Sequence, residues 1–392
     1  MKAVMIRIGE LWLKSEPVKR HFTSILIHNI RSVLDTADIV YRIEEFRGRI
    51  LIYGDTTEII SHVSKVFGVY DVCICTICNN TPEDMISAAI DLAKSKLKPG
   101  MRFAVRAKRK YRGGIPSQEL SKIIADGIWD EIPGFKVDLS NPEYEIYVES
   151  RENAGYVYDT RISGTGGLPL GSSSGKTLLL LSSGIDSPVA GWLMMRRGVP
   201  ISCIFFNSNT WSGQNTKDLV LSNARVLSKW ASGRNIYLYI VNMEQFFKSV
   251  HESCDLHYTC VICKRFMLNV ANHIAKQYRY NALVSGENLG QVASQTLNNM
   301  CNITASTTIP IFRPLLTYDK EDIINISRNI GTFHDNPGDT KCRAVPPKPA
   351  TESKIDKIEF EESKLDLDNL VSDACNSVEI WIARNGNISK KV

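Results

Sequence analysis

The alternation of apolar and polar positions divides the chain into segments with different periodicities. Residues 1–75 follow strand-like and helix-like patterns in the order β-α-β-β-α-β, with two strands joined near Arg47-Gly48. This order predicts a ferredoxin-like unit. A second α+β unit follows, in which Thr81 is the expected N-cap of a helix with Pro82 at its first position. The helix is expected to end at Pro99-Gly100, and a hairpin closes the unit near Tyr158.

A Gly/Ser-rich segment over residues 163–175 marks the clearest domain boundary. Beyond it, short apolar strands alternate with helices, and the first strand is Leu178–Leu181. Strands of nearly continuous apolar content, separated by helices, predict a parallel sheet covered by helices on both faces. We therefore expect a multidomain α/β and α+β chain, with units at 1–75 and 76–162, a linker at 163–175 and a doubly wound domain at 176–392.

Composition narrows the class of protein. Apolar residues make up 43% of the chain and charged residues 23%, which is typical of a globular protein. No apolar run is long enough to span a membrane, and the first residues resemble a strand rather than a signal peptide. These features predict a cytoplasmic protein without a membrane partner. In that compartment, ten cysteines favour metal, cluster or catalytic roles over disulfides.

The segment Ser182-Ser183-Gly184-Ile185-Asp186-Ser187 follows the first strand of the third domain, and Pro188 is expected to open the next helix. Small residues allow a tight turn, so successive N–H groups and the helix N-terminus can hold phosphate. The hydroxyls of Ser182 and Ser187 add donors, while Asp186 requires a cation or an attacking group beside a triphosphate. An ordinary capped strand-to-helix turn is the alternative.

The upstream Gly175-Lys176-Thr177 imitates the end of a Walker A loop. It precedes the strand instead of following it, and Leu170 stands where that loop needs a glycine. We therefore exclude it as a phosphate site.

The hexapeptide resembles the pyrophosphate loop of the PP-loop ATP pyrophosphatases, which split ATP to AMP and pyrophosphate and adenylate a substrate. Ser183 stands where that loop usually has glycine. Serine is tolerated at this position when its φ is negative. Residues 182–198, 285–297 and 311–316 resemble the tRNA 4-thiouridine sulfurtransferase (ThiI) family. The resemblance extends over nearly the whole chain and implies a THUMP domain for the second unit. Because the chain ends at Val392, we expect an archaeal-type member without the rhodanese domain of many bacterial members.

The resemblance also implies the residues that contact ATP, with Mg²⁺ as the expected companion ion. Transferred by position, these contacts are Leu180, Leu181, Ser182, Ser183, Gly184, Asp186, Ser187, Phe205, Phe206, Lys264, Gly286 and Gln295. All lie at or just beyond the carboxyl ends of predicted strands, where open α/β sheets bind ligands. Phe205 and Phe206 are expected to flank the adenine, with core packing as the alternative. The expected catalytic residues are Asp186 and Cys342.

A run of basic residues in the second unit contains no acidic residue and has two interleaved aromatics. Its members are Lys94, Lys96, Lys98, Arg102, Arg106, Lys108, Arg109, Lys110 and Arg112. Such a run can neutralise several phosphates, so it favours RNA binding over a simple solvated face. By resemblance the unit grips structured tRNA.

Three cysteines are candidates for handling sulfur. Cys260 and Cys263 are spaced to share one helical turn, which suits a metal, a cluster or a dithiol. The resemblance places Cys342 where many members carry or receive sulfur, and it implies that these three cysteines bind an iron–sulfur cluster. Zinc, or a dithiol and persulfide relay through Cys342, are the alternatives. Cys73, Cys75 and Cys78 are expected to be structural.

The expected reaction is ATP-dependent 4-thiouridine formation in tRNA, which the resemblance places at position 8. A uridine oxygen is adenylated, and sulfur from sulfide or from the persulfide of a cysteine desulfurase then displaces AMP. A sulfur carrier for thiazole synthesis in thiamine formation, a 2-thiouridine-type thiolase and a tRNA-binding module with a degenerate ATP site are the alternatives. The resemblance leaves a homodimer open.

Overall fold

The computed structural model describes residues 1–9, 14–46 and 49–391, without the side chains of Phe46 and Asn209. The turn predicted at Arg47-Gly48 lies outside the described residues. The chain divides into two compact units, one of residues 1–19 and 30–167 and the other of residues 20–29 and 168–392. No helix in the described ranges is long and apolar enough to cross a membrane.

The first unit contains one mixed sheet, nine-stranded in the described part, in the order β2-β3-β1-β4-β8-β7-β5-β6, with β9 pairing to β4. Its strands are β1 (Lys2–Ile8), β2 (Tyr41–Phe46), β3 (Arg49–Gly54), β4 (Val69–Cys78), β5 (Arg102–Arg109), β6 (Lys136–Val137), β7 (Tyr144–Arg151), β8 (Ala154–Tyr158) and β9 (Ile162–Ser163). The helices that begin in this part of the chain are α1 (Glu16–Thr36), α2 (Thr56–Val63), α3 (Pro82–Ala93) and α4 (Ser117–Glu131). The order of β1 to β4 with α1 and α2 confirms the ferredoxin-like prediction.

Helix α3 begins as predicted and ends earlier than predicted. Thr81 Oγ1 accepts the backbone N–H of Asp84 at 3.3 Å, and Pro82 is the first helical residue. The prediction that the helix reaches Pro99 is wrong, because it ends at Ala93. Leu97 N–H turns back to the Ala93 carbonyl at 2.8 Å, and this turn buries the Leu97 side chain.

Cys73 and Cys75 lie in β4 and are fully buried, as predicted for structural thiols. Their side chains share one face of the sheet with Met5 and Tyr156. Burial raises the pKa of both thiols, so neither is a nucleophile at neutral pH.

The first residues of the predicted linker are fixed to the first unit. Gly164 N–H donates to Tyr70 O and Gly166 N–H to Val69 O, both at 2.8 Å. A Cβ at Gly164 would lie 2.4 Å from Val69 O. This glycine therefore permits close backbone packing and does not provide a flexible joint.

The second unit contains a sheet in the order β14-β13-β10-β11-β12-β15-β16. Its strands are β10 (Thr177–Leu180), β11 (Ile201–Asn207), β12 (Ile236–Asn242), β13 (Ala282–Val284), β14 (Ile311–Phe312), β15 (Glu379–Arg384) and β16 (Asn387–Lys390). Its helices are α5 (Asp186–Arg196), α6 (Thr216–Lys229), α7 (Glu244–Ser253), α8 (Thr259–Tyr278), α9 (Leu297–Thr304), α10 (Lys320–Ile330), α11 (Ile355–Glu362) and α12 (Leu367–Asn376).

Strands β10 to β14 are parallel, which confirms the doubly wound prediction. Successive side chains of a strand point to opposite faces. Leu178 packs with Ile274 of α8 on one face, whereas Leu179 approaches α5 at Gly191 on the other. Helices therefore cover both faces. Strands β15 and β16 add an antiparallel hairpin at one edge that the sequence pattern did not predict.

Candidate active site

The turn between β10 and α5 is organised by its own serines. Ser187 Oγ accepts the backbone N–H of Ser182 at 2.8 Å and lies 2.9 Å from Ser182 Oγ, which accepts the N–H of Gly184 at 3.3 Å. Helix α5 begins at Asp186, two residues before the predicted start, so Asp186 and Ser187 belong to its first turn. Ser183 is not among the described non-glycine residues with positive φ, so serine fits this position.

A buried amide supports this loop from behind. Asn223 of α6 is fully buried, and its Nδ2 donates to the Ser182 carbonyl at 3.2 Å. Its Oδ1 lies 3.0 Å from Nε2 of His334, which must donate there. The sequence offered no signal for either residue, because His334 is 111 positions away from Asn223 and belongs to no motif.

A cavity of about 220 Å³ opens beside the loop at the carboxyl end of β10. The predicted ATP contacts that line it are Leu180, Ser182, Asp186, Ser187, Lys264, Gly286 and Gln295. It is also lined by residues that sequence reasoning missed, namely Met267, Leu268, Ser285, Glu287, Ile303 and Ile311. The cavity thus combines an apolar wall with a phosphate-type loop.

Three positions show that this cavity suits a nucleotide. A Cβ on Gly184 would meet only Ser182 Oγ, at 3.6 Å, so the space above the loop is open. Gln295 Oε1 is buried and accepts no hydrogen bond from the described residues, which leaves an acceptor for a ligand N–H. Gly286 touches the loop itself, because a Cβ there would lie 2.6 Å from Ser187 N. These residues fit ATP.

Glu287 is the centre of a buried charge cluster in the cavity. Its carboxylate accepts Lys264 Nζ at 2.9 Å, Arg313 Nε at 2.8 Å and Ser285 Oγ at 3.0 Å. Burial alone would raise the pKa of Glu287, but the cations of Lys264 and Arg313 outweigh it and lower the pKa to about 2. Glu287 is therefore ionised at neutral pH and holds both cations in place.

Asp186 is paired with a lysine from a distant part of the chain. Lys320, the first residue of α10, places its Nζ 2.8 and 3.1 Å from the two carboxylate oxygens, and Gln291 Nε2 lies 3.4 Å from Oδ2. The cation that the Asp186 position requires is thus supplied by the protein. No sequence motif pointed to Lys320, which is 134 residues away.

The three candidate cysteines come together in the second unit. Cys260 and Cys263 lie in the first turns of α8 and are partly buried, whereas Cys342 is exposed. Burial raises the pKa of Cys260 and of Cys263, and the nearby Cys342 raises both further. Within residues 1–9, 14–46 and 49–391, however, no group of three His, Cys, Asp or Glu side chains is arranged to hold a metal ion. The thiols are neighbours, but they are not a preformed ligand set.

Comparison with known proteins places this site in a family. Residues 172–367 match the family described as thiamine biosynthesis protein (ThiI), residues 3–73 match the ThiI ferredoxin-like domain, and residues 79–159 match the THUMP domain. A probable tRNA sulfurtransferase of Methanosarcina mazei is 36% identical over 383 residues, which are 96% of this chain and 94% of that protein. The chain belongs to the ThiI family.

Further relatives extend this assignment. A probable tRNA sulfurtransferase of Macrococcus caseolyticus is 37% identical over 397 residues, covering 99% of this chain and 98% of that protein. The crystal structure of a 4-thiouridine synthetase–RNA complex with bound ATP superposes with a TM-score of 0.87 at 30% identity, over 98% of this chain and 100% of that one. The ThiI-family architecture is therefore present along nearly the full length compared.

Some residues predicted to contact ATP do not line the cavity of this ThiI-family chain. Leu181, Ser183 and Gly184 lie next to residues that do line it. The backbone N–H of Leu181 donates to the Ile204 carbonyl, as part of the sheet, rather than pointing to a ligand. Phe205 and Phe206 are buried in β11, and Phe206 packs in the core. Their contact with adenine stays a prediction.

The basic run separates into two groups in the first unit. Lys96 pairs with Asp159 at 2.6 Å, Arg102 with Glu143 at 3.4 Å and Arg106 with Glu145 at 2.8 Å. Lys94, Lys98, Lys108, Lys110 and Arg112 are exposed and have no ion pair within the described part of the chain, while Arg109 donates to the Gly114 carbonyl. Unpaired cations at and beyond the end of β5 are therefore the better candidates for binding phosphates.

Proposed function

We propose that this ThiI-family chain forms 4-thiouridine in tRNA, at position 8, at the expense of ATP. The observation that carries the proposal is the meeting of a phosphate loop, an Asp–Lys pair and three cysteines in one parallel-sheet unit. A phosphate loop supports activation by adenylation, and neighbouring thiols in the same unit support a sulfur-transfer step. Relatives named tRNA sulfurtransferases and the likeness to an RNA-bound 4-thiouridine synthetase support the same substrate.

The first step adenylates the base. The uridine O4 oxygen attacks the α-phosphorus of ATP, the bond from that phosphorus to the bridging oxygen breaks, and pyrophosphate leaves. N–H groups of the Ser182–Ser187 loop and the positive end of α5 stabilise the departing charge. Lys320, held beside Asp186 at the first turn of α5, would contact the same phosphates. Mg²⁺ binds through one or two carboxylates plus phosphates, and Asp186 is the carboxylate that would hold it to neutralise pyrophosphate.

The second step exchanges oxygen for sulfur. A sulfur nucleophile adds to C4 of the base, the C4–O bond breaks, and AMP departs with the oxygen. Cys342 is exposed, so its thiolate can take the outer sulfur from the persulfide of a cysteine desulfurase, whose own thiol is released. Sulfide would instead add to C4 directly. Once the outer sulfur of a Cys342 persulfide has added to C4, a thiol of the partly buried neighbours Cys260 and Cys263 attacks Cys342 Sγ. The S–S bond to the base sulfur breaks, the thionucleoside is released, and the disulfide that remains is reduced by an external thiol. Because these thiols do not form a ligand set as they stand, we route no step through a cluster.

The proposal is tested with purified protein, unmodified tRNA, ATP and sulfide. We expect one pyrophosphate and one AMP per 4-thiouridine, detected by nucleoside analysis of the digested tRNA. Sulfur transfer without tRNA would support the thiazole-synthesis alternative, and 2-thiouridine would support the other thiolase class. Tight tRNA binding without ATP turnover would support a binding module. Any of these three outcomes sinks the proposed reaction.

The predicted iron–sulfur cluster can be tested directly by measuring the metal content of the protein. Protein purified without oxygen is expected to contain iron and acid-labile sulfide, and Cys263→Ser should lose both, while the exposed Cys301→Ser keeps them. Zinc in place of iron would support the zinc alternative. Metal-free protein that thiolates tRNA fully from a persulfide donor would contradict the cluster and support the relay through Cys342.

The unpaired cations of the first unit predict which substitutions weaken tRNA binding. Replacing Lys108, Lys110 and Arg112 together by alanine should lower tRNA affinity by about 10- to 100-fold and reduce the salt slope by about 2 to 3. Arg102→Ala with Arg106→Ala is the matched control, because those cations already neutralise carboxylates. An equal loss in both variants would show that the ion pairs do not decide which cations bind phosphate.

We further propose that the protein works in the cytoplasm, where its tRNA substrate and a desulfurase are both present. A homodimer stays a prediction, which sedimentation of the purified chain tests.

A further inference from the structure

Cys342 lies in a segment that is fastened to the second unit at two places. We call residues 338–350 the Cys342 strap. At its first end, Arg343 N–H donates to the Trp211 carbonyl at 2.8 Å, and Asn215 N–H donates to the Asp339 carbonyl at 3.3 Å. These two backbone hydrogen bonds flank Cys342 and tie the strap to residues 211–215.

The partner of this first attachment is itself fixed. The Trp211 ring stacks on His251 of α7 with 4.3 Å between centroids. A Cβ on Gly213 would lie 1.9 Å from the Asp339 carbonyl oxygen, so the two backbones touch there. Only glycine permits this approach without moving the strap.

The second attachment lies next to the other cysteines. His257 Nδ1 donates to the Lys348 carbonyl at 2.7 Å, and Ala350 N–H donates to the His257 carbonyl at 3.0 Å. His257 stands three positions before Cys260, in the middle of the short helical turn Leu256–Tyr258 that leads into α8. The strap is thus bonded to the same stretch of backbone that carries the cysteine pair.

Between the two attachments the strap has little freedom. Ala344, two residues after Cys342, is only 5% exposed and packs in the core with residues of α8. Pro346, Pro347 and Pro349 follow, and each proline restricts its own φ and the residue before it. A segment that is bonded at both ends, anchored by the buried Ala344 and rich in proline is not free to act as a long swinging arm.

We propose that the strap is a rigid mount that holds the Cys342 thiol beside Cys260 and Cys263, and that Gly213 and His257 are positioning residues for sulfur transfer. This inference rests on the proposed function, because it assigns the geometry of the second step. Holding two reacting groups at a fixed distance removes the entropic cost of bringing them together. No described hydrogen bond joins the strap to the phosphate loop itself, so we expect adenylation to proceed when the strap is loosened at Gly213 or His257.

His257 offers the cleaner test because its side chain is exposed. His257→Ala removes the bond to Lys348, whereas His257→Asn places an amide N–H where Nδ1 stood. The full chain, chelated and reduced, is treated with dibromobimane, and peptides joining Cys342 to Cys260 or Cys263 are quantified by mass spectrometry. We expect crosslinking and 4-thiouridine formation to fall about tenfold in His257→Ala and to recover in His257→Asn. Pyrophosphate release should stay at the wild-type rate in both.

Gly213→Ala tests the first attachment. In Gly213→Ala, crosslinking and 4-thiouridine formation should fall at least as far as they do in His257→Ala. The rate of pyrophosphate release should again stay at the wild-type level. Gly386→Ala in the turn between β15 and β16 is the control, since its φ of 82° also strains alanine but the turn is far along the chain from the strap. Melting temperatures of both variants show whether a loss is general.

Unchanged crosslinking in both His257→Ala and Gly213→Ala would contradict the proposal that the strap is a rigid mount for Cys342. So would a parallel fall of crosslinking and pyrophosphate release, since that pattern marks general damage to the unit. If the proposed thiolation fails in the wild-type protein, crosslinking still reports on the strap, so the two failures are distinguishable.

Discussion

Lys320→Ala should lower tRNA-dependent pyrophosphate release by about 100-fold or more, a loss typical of removing one preorganised charge from a transition state. Lys320 forms its ion pair with Asp186, and its side chain is 44% exposed. Lys264 and Arg313 share the carboxylate of Glu287, and their side chains are only 26% and 15% exposed. Of these three cations, Lys320 is therefore the one most able to exchange a carboxylate for a phosphate. Initial rates of pyrophosphate formation with saturating tRNA measure the effect.

Matched variants decide whether charge or packing is responsible. Asp186→Asn should cause a loss of similar size, because the pair would lose its anion and the predicted Mg²⁺ its carboxylate. Asn329→Ala, exposed near the other end of α10, should leave the rate unchanged. Near wild-type rates in Lys320→Ala would show that the lysine only balances Asp186.

Alanine substitutions at two glycines of the phosphate site should have different effects, one on stability and the other on ATP binding. At Gly286 the new methyl group would lie 2.6 Å from the backbone of Ser187, so the loop must shift. We expect a stability loss of about 1–3 kcal/mol, as for other overpacked sites, with ATP turnover lost. At Gly184 the methyl group meets only Ser182 Oγ at 3.6 Å and occupies the open space where phosphates would sit.

Gly184→Ala should therefore fold as the wild type does and bind ATP weakly. Melting curves with and without ATP separate the two cases: Gly286→Ala melts lower in both, whereas Gly184→Ala loses only the stabilisation by ATP. If Gly184→Ala retained the full ATP shift, the phosphates would not lie over the loop as we place them.

Local chemistry in the sequence was enough to find the phosphate loop, the capped start of α3, the β-α-β-β-α-β order at the start of the chain and the alternation of strands and helices from β10 to β13. These features depend on neighbouring residues and on a period of two or 3.6. Lys320, Asn223 and His334 were missed because they meet the loop only through the fold. Because these residues lie far from the loop along the chain, no rule of residue spacing could identify them.

Adjacent residues can also be misleading. Arg265 follows Lys264, and both are basic, yet successive helical residues point about 100° apart. Lys264 faces the cavity, while Arg265 is buried in a double hydrogen bond to Glu362 at 2.7 and 2.8 Å. Only the packing of α11 against α8 reveals that difference.

The C-terminal hairpin has a consequence for how the molecule behaves among its neighbours. The match to the ThiI family ends at residue 367, but β15 pairs with β12 from Ile236 opposite Ala383 to Ile240 opposite Glu379. A chain shortened at residue 367 would present one side of β12 as an open row of N–H and C=O groups. Exposed edges of this kind recruit strands from other molecules and lead to aggregation. The last two strands thus protect solubility as well as completing the sheet.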